Sequence, residues 1–104
     1  MSLIKKIKDK KVNFEFNKEY INVVNAKIAN NDALFITNSF KEMHPADAAD
    51  IIEHLSQNNR ESLIKLNNFN IDPEVFIELN ESVQAEIIKY LSSDSIITIL
   101  KNLE

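Results

Sequence analysis

The chain has 104 residues, 44% hydrophobic and 27% charged, with a formal net charge of −4, which fits one small soluble domain and not a disordered chain. It contains no cysteine and no glycine. Disulfide scaffolds, thiolate metal sites, thiol nucleophiles, phosphate-cradling glycine loops and EF-hand loops are therefore excluded. The charge is uneven: residues 1–11 hold five lysines against Asp9, whereas the remainder holds 7 basic and 15 acidic residues. An acidic body disfavours nucleic acid, whose phosphates need a basic face. No run approaches the roughly 18 apolar residues of a membrane span. The basic start lacks the apolar region of a secretion signal.

In chain order, residues 1–18 read as a polar, partly disordered segment. The lysine run at residues 5–11 reads as a solubilising tail in preference to a lipid contact. Val12-Asn13-Phe14-Glu15-Phe16 alternates like a strand, but one short strand has no partner. Extended structure that lays Phe14 and Phe16 on the body is expected there. A helical domain is expected over residues 19–104. From Glu19 the period is helical, with Tyr20, Val23, Val24 and Ile28 on one face. Asn30-Asn31 breaks that helix, and another runs from Asp32 to about Phe40.

From Ala48 the chain divides into blocks of twelve. The fourth block position reads Ile51, Leu63, Val75, Ile87, Ile99; the fifth reads Ile52, Ile64, Phe76, Ile88, Leu100. The eighth reads Leu55, Asn67, Leu79, Leu91, Leu103, and Leu66 can stand in for Asn67 after a small rotation. Spacing of i, i+1, i+4 is one face of a short helix. Start signals punctuate the blocks: His44-Pro45, Asp72-Pro73, Ser56, Asn80, and Ser92 or Ser93. A two-turn helix cannot pay its own nucleation cost and must bury its stripe on neighbours. The period therefore predicts an all-α stacked array, about 12 residues per helix and 24 per helix pair. Blocks one, three and five fall in one layer, two and four in the other. The pattern is still running at Leu103, so the sequence reads as cut from something longer.

Candidate chemistry is sparse. Asp50 and His54 sit at i, i+4, but with His44 as the other histidine they make no zinc site. The pairs Asp47/Asp50 and Glu74/Glu78 lie off the apolar stripe, so nothing suggests the burial that acid–base work needs. No nucleophile stands beside a base, and no catalytic residue is assigned. The third block position reads Asp50, Ser62, Glu74, Glu86, Thr98, which can bring Asp50 and Glu74 to one edge of one layer. Hard cations such as Mg²⁺ need only one or two such carboxylates, because they keep several waters. A solvated acidic face is the plainer alternative.

Met-His-Pro-Ala-Asp-Ala-Ala-Asp-Ile-Ile-Glu-His-Leu (43–55), Pro-Glu-Val-Phe-Ile-Glu-Leu (73–79) and Gln-Ala-Glu-Ile-Ile-Lys-Tyr-Leu-Ser (84–92) follow in series. Together they resemble the cytoplasmic N-terminal domain of the MgtE magnesium transporters, over residues 31–104. The Leu66-Asn67-Asn68 corner is more polar than the family's usual Leu-Leu-Pro. The resemblance implies a right-handed superhelical array of short helices, on the cytoplasmic side of the cell membrane. It implies a homodimeric transporter in which CBS domains and a connecting helix follow. Mg²⁺ would bind between these parts, holding the assembly compact and the pore closed when internal Mg²⁺ is high. Glu74 falls on an acidic family position that binds Mg²⁺ at the CBS interface, and Asp50 joins it from the block arithmetic. The expected function is a Mg²⁺-sensing regulatory domain, not an enzyme, with no nucleic-acid partner and no membrane insertion. Mg²⁺ binding to this domain alone is expected to be weak or absent, because other ligands belong to its partners. The alternative is a helical-repeat protein-interaction scaffold, similar to the superhelix of the flagellar motor switch protein FliG, with no ion role.

Overall fold

The computed structural model describes residues 14–67 and 69–103, with side chains from Lys18 onward. Among these the chain is all α, with seven helices and no strand: α1 Phe14–Ala29, α2 Ala33–Lys41, α3 Pro45–His54, α4 Gln57–Lys65, α5 Pro73–Glu78, α6 Glu81–Ile88 and α7 Ser93–Asn102. The expected strand-like stretch at Phe14–Phe16 is helical, so α1 starts earlier than Glu19. A lone strand leaves its backbone N–H and C=O groups unpaired, whereas an extra helical turn on α1 pairs them internally. Residues 1–13, with the lysine run, and the Phe14 and Phe16 side chains lie outside the described residues.

The corners explain how a chain without glycine turns so often. α1 ends where Asn31 takes φ of 57°, a left-handed conformation that Asn tolerates better than most residues. The Asp32 side chain then accepts from the Phe35 N–H and opens α2. Later corners use a different device. Leu55 and Leu79 end α3 and α5 in extended backbone, and Ser56 and Asn80 follow at once as N-caps of α4 and α6. Ser92 likewise caps α7 through the Ser95 N–H. Among the helices whose N-cap is described, only α3 lacks a side-chain cap; Pro45 opens it, losing an N–H that would have no helical partner anyway. An extended residue followed by a cap needs no positive φ, and so no glycine.

The helices stack in the two layers that the period requires. α5 packs on α3 and α7 packs on α5; α4 packs on α1 and α6 packs on α4. α2 lies against α1. All five residues at the fourth block position are buried, with Leu63 and Ile87 fully so. Leu66 does replace Asn67: it is half-buried against the core, and Asn67 is exposed. On α1, Tyr20, Val24 and Ile28 are buried but Val23 is largely exposed at the margin of the face.

The stripe departs from expectation in the last two blocks. Ile52, Ile64 and Phe76 are buried at the fifth position, but Ile88 is 45% and Leu100 56% exposed. At the eighth position Leu55 and Leu79 are buried, Leu91 is half-buried and Leu103 is 52% exposed. α3 packs against α5 two blocks on and α4 against α6, whereas α6 and α7 have no such neighbour among the described residues.

Candidate functional site

The first turn of α5 carries the leading candidate. Asp72 accepts from the Glu74 N–H at 2.9 Å, which holds the turn and leaves the Glu74 carboxylate exposed. Packing of α5 on α3 sets this turn beside the start of α3. Glu74, Ile77 and Glu78 face His44, Pro45 and Ala46 across a shallow recess of about 400 Å³. The start of α3 and the two acidic residues of α5 thus line one recess.

Asp50 lies further along α3 and does not line that recess. Its side chain is about half exposed, and its carbonyl oxygen lies 2.7 Å from His54 Nδ1. The fold therefore puts Asp50 and Glu74 on neighbouring helices of one layer, as the block arithmetic required, with Glu74 turned toward the N-terminus of α3. Among the described residues no group of three His, Asp or Glu side chains is placed to hold a metal ion.

One polar cluster was not read from the sequence. Arg60, the sole arginine, reaches from α4 both to α6 in its own layer and to the end of α3 in the other. Its Nε donates to both Glu86 carboxylate oxygens at 3.1 Å, and Nη2 donates to Oε1 at 2.9 Å. Nη1 donates to the carbonyls of Glu53 at 3.2 Å and Leu55 at 2.7 Å, which closes the end of α3. The Tyr90 hydroxyl donates to the other Glu86 oxygen at 3.0 Å. The guanidinium, with help from the Tyr90 hydroxyl, holds the Glu86 carboxyl below its ordinary value of 4.5 despite opposing desolvation. Every charged atom of this cluster faces a partner, so it braces the fold. Its only signal in the sequence is a single Arg opening block two, with an acid at the third position of block four.

Comparison with known families bears on these features. A family model described as the MgtE intracellular N domain matches residues 43–104. The chain belongs to that family. No curated protein and no solved structure matches it. The match takes in α3 to α7, and with them both Asp50 and Glu74. An MgtE N domain is part of an MgtE-family Mg²⁺ transporter, a regulatory and not a catalytic part, and in the family it precedes CBS domains. The family's name describes an intracellular domain, and among the described residues no helix is long and apolar enough to cross a membrane.

Proposed function

We propose that this MgtE N domain is the cytosolic Mg²⁺ sensor of its transporter, and that Glu74, with Asp50, supplies carboxylates to Mg²⁺ held jointly with the CBS domains and connecting helix. The observation that carries the reading is family membership over the span that includes both residues. The donor chemistry fits. Glu74 and Glu78 are exposed carboxylates on one short helix, and hard oxygen donors suit Mg²⁺, which retains several of its waters. One domain with one or two such ligands makes part of a site, the rest of the ligands coming from its partners.

Bound Mg²⁺ would supply positive charge that offsets carboxylate repulsion between domains. This chain's part is to hold the carboxylates in place: Asp72 fixes the α5 turn, and α3–α5 packing fixes its position. Two unit charges of one sign at 4 Å repel by about 4 kcal/mol at an effective dielectric near 20. A few such contacts, relieved only in the compact state, are enough to shift a population between open and closed assemblies.

The test is Glu74→Ala in the intact transporter, with Mg²⁺ uptake measured as internal Mg²⁺ is raised. The inhibition curve is expected to move to higher Mg²⁺, with a smaller move for Asp50→Ala. An unchanged curve for Glu74→Ala sinks the assignment.

A further inference from the structure

A cavity of about 530 Å³ opens between the end of α2, the 69–73 connection and the first turns of α7. Small-molecule sites run from about 300 to 1,000 Å³, so this one has the right size. Its floor is apolar: Phe40, Phe69, Ile71 and Val75 line it, and the last three are buried. Phe40 and Phe69 meet edge to face, with ring centroids 6.3 Å apart, which fixes both rings. The cavity shares no residue with the recess at Glu74.

The rim decides what fits. Asp72 and Asp94 stand on it against one basic residue, Lys41. All three are exposed, and none has an ion-pair partner among the described residues. Asp72 gives one carboxylate oxygen, Oδ1, to the Glu74 N–H and keeps the other for a ligand. The two carboxylates are short side chains fixed at the starts of α5 and α7, whereas Lys41 ends α2 on a long stem that can turn its ammonium to water. Thr37 also lines the cavity, and its hydroxyl is buried with no hydrogen-bond partner among the described residues. Rotation about its Cα–Cβ bond would offer that hydroxyl to an N–H donor, which removes the cost of leaving it unpaired. Aromatic ring faces attract cations. The described residues use that contact elsewhere, with Lys27 Nζ 4.5 Å from the Phe35 ring centroid and Lys65 Nζ 5.8 Å from that of Tyr90.

We propose that this cavity binds a small organic ammonium ion with an aromatic or aliphatic body. The body lies on Phe40, Phe69 and Val75, and the ammonium group donates to Asp94 and Asp72. A bare metal ion gains nothing from the apolar floor, and an anion meets two carboxylates. The inference stands apart from the Mg²⁺ reading, since neither Glu74 nor Asp50 lines the cavity. Asp72 joins the two places, because the residue that receives the ligand also caps the turn that carries Glu74.

Three probes share one body and differ in charge: 2-phenylethylammonium, 2-phenylethanol and 3-phenylpropionate. Each is titrated to about 10 mM into the whole chain while the amide ¹H and ¹⁵N shifts are followed. The ammonium is expected to bind with a Kd on the order of 1 mM, the range open to a fragment of its size. Its shifts should concentrate at Phe40, residues 69–75 and residues 94–98. The alcohol is expected to bind about fivefold more weakly, and the propionate not measurably. Asp94→Asn is expected to weaken the ammonium about threefold, and Lys41→Gln to strengthen it about twofold. Both side chains are exposed, so far-UV circular dichroism should be unaltered in either variant. The proposal is overturned if no probe moves these amides, if the alcohol binds as tightly as the ammonium, or if Asp94→Asn binds the ammonium as tightly as the parent. Tighter binding of the propionate also overturns it and marks an anion site.

Discussion

Replacing Arg60 with Met would remove five hydrogen bonds at once while keeping much of the aliphatic stem. The side chains of Arg60 and Glu86 are only 13% and 17% exposed, so the stranded carboxylate would be poorly hydrated. Two carbonyls at the end of α3 would also lose their donor. Breaking a buried ion pair costs about 3–5 kcal/mol, and partial water access here reduces that to roughly 2–4 kcal/mol. For a domain of this size each kcal/mol lowers the melting temperature by roughly 4–8 °C. Urea unfolding followed at 222 nm, at low protein concentration, gives the free energy directly. Adding Glu86→Leu to Arg60→Met removes the orphaned charge and is expected to recover about half of the loss or more, since the apolar pair has no charge to desolvate. The reasoning is refuted if Arg60→Met costs less than about 0.5 kcal/mol, or if the second substitution simply adds to the damage.

Three further outcomes use the same titration. Glu86 has its folded pKa depressed below the ordinary 4.5, so its contribution is complete above that value and lost as pH falls through the folded one. Midpoints measured from neutral pH downward should therefore decline in this acid window, and Arg60→Met should lose that part of the decline. Ile52→Ala and Leu63→Ala, at fully buried positions, should cost about 2–5 kcal/mol each, whereas Leu100→Ala should cost less than about 1 kcal/mol; equal costs would mean that the end stripe is covered in the monomer. Ser56→Ala and Asn80→Ala should each lose about 1 kcal/mol, and Ser56→Gly only a few tenths, because the caps satisfy N–H groups at Asn59 and Val83. A cap variant with no effect would assign those corners to packing alone.

Much of the architecture was legible because it is written in local chemistry. Ser56, Asp72, Asn80 and Ser92 cap helices wherever they stand, since the N–H groups they satisfy are a few residues away. The apolar period of twelve marks which face of each short helix must find a neighbour, and helices that cannot hold alone make stacking compulsory. From this the layering of α3, α5 and α7 against α4 and α6 could be read before any coordinate. The family motifs lie on those same blocks.

The remainder depended on what lies across space. A period says which side chains seek cover but not whether a neighbour exists, so Ile88 and Leu100 carry the same pattern as Ile52 and Phe76 and end up exposed. The alternation at residues 12–16 looked extended because two-residue periodicity says nothing of a missing partner strand; α1 absorbed its described part, from Phe14, by pairing the backbone internally. Arg60 and Glu86 are 26 residues apart, and only the approach of α4 to α6 makes them one cluster. Spacing put Asp50 and Glu74 in one layer, but the packing of α5 decided that Glu74 faces the start of α3 and that Asp50 lies outside the recess. Local chemistry determined the helices, their caps and their inward stripe; contact between helices far apart in sequence decided which charges meet, as Arg60 and Glu86 do.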